Sequence, residues 1–113
     1  MLIRQLFDCA ENHAALQNLY SAAPHYYVAD IGKVAEPNEA KNDFADLPPG
    51  VNKVDQFIYG IYLDDQLIGC AGIIRGFSGA NTATVTLLLF AEEHQGQGHG
   101  RQAYTELEKI MAS

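Results

Sequence analysis

The chain has 113 residues with 14 acidic and 7 basic side chains, so its formal net charge at neutral pH is −7. This length suits a single domain, placed at residues 1–113, and a hydrophobic content of 48% is enough for one modest core. An acidic chain without a cluster of Lys and Arg is not expected to bind nucleic acid, because phosphate contacts supply most of that affinity.

Neither a membrane segment nor a disulfide framework is predicted. No apolar run approaches the about 20 residues that a membrane helix needs. The N-terminal residues lack the basic and apolar regions of a signal peptide, so we expect a cytoplasmic protein that does not associate with membranes. Cys70 lies in an apolar run and is expected to be buried. Cys9 lies near a predicted helix start, has no histidine that is an obvious partner in the sequence, and is not expected to be catalytic.

The first half of the chain predicts one strand and two helices. The apolar run Leu2 to Phe7 predicts the strand. Asp8 and Glu11 then form a pattern like a capping box, which predicts the start of a helix that ends at Pro24. Apolar residues with helical spacing between Ala40 and Leu47 predict a second, short helix, which a Pro-Pro-Gly sequence ends.

The second half predicts three strands and one helix. Gln56 to Leu63 and Gln66 to Arg75 are rich in β-forming residues, and the Asp-Asp turn between them predicts a hairpin. Thr82 to Phe90 predicts a further strand, and an amphipathic helix is predicted from about Gly98. This order of elements predicts an α+β fold, with an antiparallel sheet and flanking helices.

The segment from Gln95 to Arg101 carries the strongest chemical signal. Its glycines, Gly96, Gly98 and Gly100, alternate with polar residues between the end of a strand and the start of a helix. Missing side chains let a ligand approach the backbone. A helix start offers unpaired N–H groups and the positive end of a dipole, and Arg101 adds a positive charge. The segment therefore predicts an anion site, most simply one for phosphate.

Other interpretations of this segment compete with a phosphate site. One is a loop whose glycines serve only its turns. A Walker loop is excluded because the chain has no Gly-Lys pair. The sequence from Gly98 to Ala103 matches the Rossmann pattern, but the acidic residue expected about 20 positions later would fall beyond Ser113. His94 and His99 flank the glycines, but a zinc site needs three or four ligands, so no metal is predicted.

The glycine segment resembles the acetyl-CoA motif of the GNAT family of N-acetyltransferases, Q/R-x-x-G-x-G/A, which joins the fourth strand to the third helix. The sequence from Gln95 to Gly100 matches this motif without departure. The order of predicted elements also agrees with the first half of the family's domain. Similarity to a bacterial subgroup extends along most of the chain, through Pro24 to Tyr27, Leu47 to Gly50, Leu67 to Gly69, Ile74 to Gly76 and Leu87 to Leu89.

This resemblance implies that acetyl-CoA is a cosubstrate and that its acetyl group passes to a small-molecule or protein amine by direct attack in a ternary complex. Main-chain groups at the end of the strand would contact the pantetheine and the thioester, and the glycine loop would wrap the pyrophosphate. The cofactor-binding set is Leu88, Leu89, Phe90, Gln95, Gly96, Gln97, Gly98, His99, Gly100 and Arg101. The residues that could line the acceptor side are His25, Tyr26 and Tyr27.

The resemblance leaves the general base unassigned. Some family members carry a Glu where this chain has Thr82 to Thr86, a stretch without an acidic residue. Family members usually continue beyond the third helix with further strands, so we expect a shortened domain. Its open sheet edge at Thr82 to Phe90 would then pair with a second copy. The alternative functions are a CoA-binding domain without turnover and an interaction module that binds no nucleotide.

Overall fold

The computed structural model describes residues 1–23, 37–45, 50–76 and 82–112. Within these ranges single turns of helix occur at Lys53–Asp55 and Glu92–His94, and no helix has the length and apolar character needed to cross a membrane. The longer elements, in chain order, are β1 (Leu2–Leu6), α1 (Ala10–Ser21), α2 (Glu39–Ala45), β2 (Gln56–Leu63), β3 (Gln66–Arg75), β4 (Ala83–Phe90) and α3 (His99–Ala112).

The strands form one antiparallel sheet in the order β1-β2-β3-β4. This confirms the predicted α+β fold, and the hairpin of β2 and β3 has the bounds that the sequence predicts. Its turn residues, Asp64 and Asp65, have φ angles of +51° and +66°. Two left-handed residues match the right-handed twist of the strands that they connect. The outer edge of β4 pairs with no other strand in the described part of the chain.

Helices cover both faces of this sheet. The faces alternate along β4, because successive side chains of a strand point to opposite sides. Leu89 lies on the face covered by α1 and α2. Phe90 lies on the face covered by α3, where it belongs to one cluster with Ala103, and Leu107 forms a second cluster there with Ile73. The loop between β4 and α3 therefore connects a strand and a helix that both contribute side chains to the core.

The predicted capping box at α1 is wrong. The helix begins at Ala10 with Cys9 as its N-cap, and no side chain caps it. Asp8 instead accepts hydrogen bonds from His13 at 2.6 Å and from Lys53 at 3.2 Å. These two bonds, with the His13 contact the larger cause, hold the pKa of Asp8 below its usual value. The Asp8 carboxylate therefore bonds to two side chains and not to the backbone N–H groups that a capping box would give it.

Several element ends also differ from the prediction. The first strand stops at Leu6, and α1 stops at Ser21, before the predicted end at Pro24, which lies outside the described residues. The second helix is described to Ala45, and the Pro-Pro sequence expected to end it is outside the described residues too. The sequence did not predict a bulge in β4, where Thr86 has no Cα partner on β3.

Arg75 fastens the last turn of α3 to the sheet. Its guanidinium donates hydrogen bonds to the main-chain oxygens of Met111 at 3.1 Å and Ile110 at 3.0 Å. Carbonyl groups at a helix C-terminus have no intrahelical partner and lie at the negative end of the dipole. A charged donor at the end of β3 therefore satisfies two of them and fixes one end of the helix.

We predict that Arg75→Met lowers the free energy of unfolding by about 1.5–3 kcal/mol, the usual range for hydrogen bonds to a charged group. Urea denaturation measures this loss. Arg4→Met is the matched control, because Arg4 lies 5.9 Å from the ring centre of Tyr62, much as Arg75 lies 6.0 Å from that of Phe57. Arg4 is on β1 and, among the described residues, bonds to no helix end. Equal losses in the two variants would contradict the cap.

Candidate functional site

The glycine loop between β4 and α3 has the backbone that close approach of a ligand requires. Gly96 and Gly98 have φ angles of +75° and +81°, in the left-handed region that residues with a Cβ rarely adopt. A Cβ built on either glycine would meet no atom within 4 Å. Both positions therefore need glycine for the turn, and both present their main chain to open space.

The N-terminus of α3 follows directly and offers unpaired donors. The N–H of Gln102 bonds to the carbonyl of Gly98 at 3.2 Å. The N–H groups of His99, Gly100 and Arg101 precede it and have no acceptor within the helix. The first turn contains no acidic residue, and the Arg101 side chain is exposed at the same end. The partial positive charge of the helix N-terminus and the full positive charge of Arg101 therefore both lie at the loop.

An open cavity of about 190 Å³ lies at this loop. Typical pockets that enclose a drug-sized ligand start at about 300 Å³, so this cavity is too small to enclose such a ligand whole. Most of its lining belongs to the predicted cofactor-binding set, with His94 as the addition. The lining residues are Phe90, His94, Gln95, Gly96, Gly98, His99 and Gly100.

The Phe90 ring, at the end of β4, packs between Gly69 of β3 and the first turn of α3. On one side lies Gly69, where a Cβ would be 2.7 Å from Phe90 Cδ1 and 2.8 Å from the Leu89 oxygen. On the other side a Cβ at Gly100 would be in ordinary contact with the ring, at 3.9 Å. The His99 ring stacks on Phe90 with 6.5 Å between ring centres. Phe90 thus occupies space that a glycine on β3 leaves open, and α3 begins beside it.

The outer edge of β4 presents the main-chain groups of alternate residues. Ala91 donates its N–H to the carbonyl of Ile68 on the β3 side, at 2.9 Å. Main-chain groups in an antiparallel strand alternate between its two sides, so Leu89 also faces β3, whereas Leu88 and Phe90 face the open edge. Of the three strand residues in the predicted set, Leu88 and Phe90 therefore turn their main-chain groups to the open edge, and Leu89 does not.

Two glutamines of the motif bond to the protein itself. Gln95 Nε2 donates to the Phe90 carbonyl oxygen at 2.9 Å. Gln97 Nε2 donates to the Glu93 carbonyl oxygen at 3.1 Å, and its Oε1 lies 3.1 Å from His99 Nε2. Both side chains therefore brace the loop, a role that the motif alone did not reveal.

His94 lines the cavity, although the sequence analysis considered it only for a metal site, which it did not predict. Its Nε2 is buried without a hydrogen-bond partner, and the nearest ionised group that the structure gives it is Glu93 Oε1 at 3.6 Å. The His99 ring centre lies 6.1 Å away. Within the described ranges, no three His, Cys, Asp or Glu side chains lie together in a way that could hold a metal ion.

The predicted acceptor residues, His25, Tyr26 and Tyr27, lie outside the described residues. The structure does fix the point from which their segment leaves. Ala22, just past the end of α1, accepts a hydrogen bond from the Glu92 N–H at 3.0 Å. The chain therefore leaves α1 beside the start of the glycine loop.

The cysteines do not supply a nucleophile to this site. Cys70 is fully buried on β3, and burial, with a smaller contribution from Asp43, raises the pKa of its thiol far above the usual value. Cys9 is exposed at the start of α1 and does not line the cavity. The first part of β4, Ala83 to Thr86, carries no acidic side chain, so the general base stays unassigned.

Gly69→Ala is expected to displace the Phe90 ring and to lower the free energy of unfolding by about 1–3 kcal/mol, as overpacking does. Urea denaturation measures the loss, and NMR spectra of the Phe90 ring show the displacement. Gly60→Ala on β2 is the control, because its closest neighbours are side-chain atoms of Tyr62 at 2.9 Å and Leu67 at 3.0 Å. Those side chains can rotate, whereas the Leu89 carbonyl cannot. A smaller loss for Gly69→Ala than for Gly60→Ala would contradict this account.

Comparisons of sequence and of structure show which known proteins the chain resembles. The family model of the acetyltransferase (GNAT) family matches residues 13–113. An acetyltransferase from Thermus thermophilus has a similar structure, with a TM-score of 0.73 and 25% sequence identity over 100% of this chain and 70% of that one. The PaiA N-acetyltransferase from Thermoplasma acidophilum, solved with coenzyme A, gives 0.64 and 20% over 99% and 73%. No curated protein sequence matches the chain significantly.

Proposed function

Because the chain belongs to the GNAT family of acetyltransferases, we propose that it binds acetyl-CoA at the glycine loop and transfers the acetyl group to a primary amine. The observation that carries this proposal is the loop itself. Gly96 and Gly98 face open space in front of unpaired helix N–H groups, with Arg101 beside them. A pyrophosphate has the negative charge and the acceptor oxygens that such donors favour. The coenzyme A bound to the Thermoplasma acidophilum relative supports an acyl-CoA ligand.

The pantetheine arm would extend from the loop along the outer edge of β4. An extended chain with amide groups can bond to an open strand edge as an added strand does. The Phe90 N–H and both main-chain groups of Leu88 face that edge and are unpaired among the described residues. This places the thioester further back along β4, towards the bulge at Thr86.

The proposed reaction is a direct attack on the thioester. The amine nitrogen forms a bond to the carbonyl carbon, and the carbonyl oxygen takes the negative charge in the tetrahedral intermediate. The C–S bond then breaks, the sulfur leaves as a thiolate and takes up a proton, and the amine nitrogen loses one. A main-chain N–H on the open edge of β4 would donate to the oxyanion.

The acceptor amine would enter from the side of His25, Tyr26 and Tyr27. The bond from Glu92 to Ala22 supports this placement, because it anchors the start of their segment beside the loop. A net charge of −7 favours a cationic acceptor over an acidic one by general electrostatic attraction. Both small amines and lysine side chains meet that description.

Thermal unfolding with acetyl-CoA or CoA tests the binding site. A ligand at 100 times its Kd stabilises a protein by about 2.7 kcal/mol, so the melting temperature of the wild type should rise. Gly98→Asp should abolish the rise, because its carboxylate would occupy the place of the pyrophosphate. Gly50→Asp is a matched control, since Gly50 has a φ of +82°, no atom within 4 Å of its added Cβ, and no part in the cavity.

A rise in the wild type and in Gly50→Asp, but not in Gly98→Asp, is the expected result. No rise in the wild type would contradict the proposal. Turnover then separates the two functions that use coenzyme A. Acetylated product from a panel of amines, detected by mass, indicates an acetyltransferase, whereas binding without product indicates a CoA-binding domain alone.

Self-association through the same edge is a further part of the proposal. An unpaired strand edge exposes main-chain groups to the β4 edge of a second copy. Coenzyme A and a second copy would compete for these groups, so added CoA should lower the mass measured by light scattering. A monomer at high protein concentration without CoA would contradict this pairing.

A further inference from the structure

We propose that Gln95 is a positioning residue, which fixes the distance between the pyrophosphate loop and the open edge of β4 without touching the coenzyme. This inference rests on the proposed function. It gives the first residue of the motif a different role from the ligand contact that the sequence suggested.

The hydrogen bond of Gln95 lies on the ligand side of β4. Its Nε2 donates to the Phe90 carbonyl oxygen at 2.9 Å, in a partly buried position. The main-chain groups of Phe90 face away from β3, because those of its neighbours Leu89 and Ala91 face towards it. The side-chain amide therefore bonds to the strand edge along which the pantetheine arm would lie.

This bond decides which edge groups remain for a ligand. With the Phe90 carbonyl occupied, its N–H and the main-chain groups of Leu88 are the ones left next to the loop. A pantetheine N–H that would otherwise pair with the Phe90 carbonyl must then pair with the next edge-facing carbonyl, that of Leu88, two residues further from the loop. Gln95 thus sets the register of the arm on the strand.

The same bond completes a chain of contacts from the sheet to the loop. Ala91 donates to Ile68 on the β3 side at 2.9 Å, His94 donates to Ala91 at 2.9 Å, and the Gln95 N–H donates to Glu92 at 3.2 Å. The side chain of Gln95 then bonds back to Phe90 on β4, and the next residue in the chain is Gly96. A ligand anchored at both the loop and the edge gains from a fixed distance, since less ordering is needed on binding.

Two glutamines whose side chains donate to main-chain oxygens give a matched set of variants. Gln95→Met keeps the length of the side chain and removes the donor, whereas Gln95→Arg keeps a donor of comparable reach. Gln56→Met is the control outside the site, because the partly buried side-chain amide of Gln56 on β2 likewise donates to a main-chain oxygen, that of Asp43 at 3.0 Å.

Calorimetric titration with CoA and with S-acetylpantetheine, which lacks the pyrophosphate, tests the inference. For CoA we expect Gln95→Met to bind roughly tenfold more weakly than the wild type, the effect of losing about one hydrogen bond. Gln95→Arg and Gln56→Met should stay within about threefold, a difference well below one hydrogen bond. S-acetylpantetheine should bind Gln95→Met no more weakly than the wild type, because a ligand with one anchor does not depend on the distance.

Three results would overturn the inference: unchanged CoA binding by Gln95→Met, no recovery in Gln95→Arg, or an equal loss for S-acetylpantetheine. Amide hydrogen exchange provides a readout without coenzyme. Gln95→Met should speed exchange at Ala91 and His94 by about tenfold and leave Ile58 on β2 unchanged. If the wild type binds no CoA, the proposed function fails, and unchanged exchange at Ala91 and His94 would then refute the role of Gln95 separately.

Discussion

The position of the Phe90 ring between Gly69 and the start of α3 is the constraint on which the site depends. A side chain at Gly69 would collide both with the ring and with the Leu89 carbonyl. Once the ring is seated, the Phe90 main chain is fixed at the open edge of β4, where Gln95 bonds to it. Arg75 bonds to the other end of α3 and so ties the helix to the end of β3. The packing of the core therefore determines where the parts of the site lie.

The glycines of this region serve two different physical needs. Gly69 is required because its surroundings are crowded, whereas Gly96 and Gly98 are required because their backbone is left-handed and their surroundings are empty. A crowded glycine seats a neighbouring side chain, and an empty one leaves room for a ligand. The crowded glycine contributes to stability and the other two to the proposed binding site, and the sequence alone does not distinguish these roles.

The parts of the fold with strong local signals were predictable. The hairpin has the predicted bounds because β-forming residues and a turn sequence agree, and the glycine loop was located by its spacing and the amphipathic helix behind it. The failures involve side-chain and strand-pairing contacts that helix and strand patterns do not contain. Asp8 leaves its expected helix cap for His13 and for Lys53, which lies 45 residues away. The bulge at Thr86 depends on pairing with β3, which no local pattern encodes.

A coenzyme site made mainly of main-chain groups constrains the backbone far more than the side chains. Loop amides, helix N-terminal amides and strand-edge groups can persist while most side chains change, which fits a shared fold among acetyltransferases of low sequence identity. Such a site still needs its two halves at a fixed separation. Main-chain bonds link the loop to Ala91, and the side chain of Gln95 adds the bond to Phe90 itself, at the edge along which the pantetheine arm is proposed to lie.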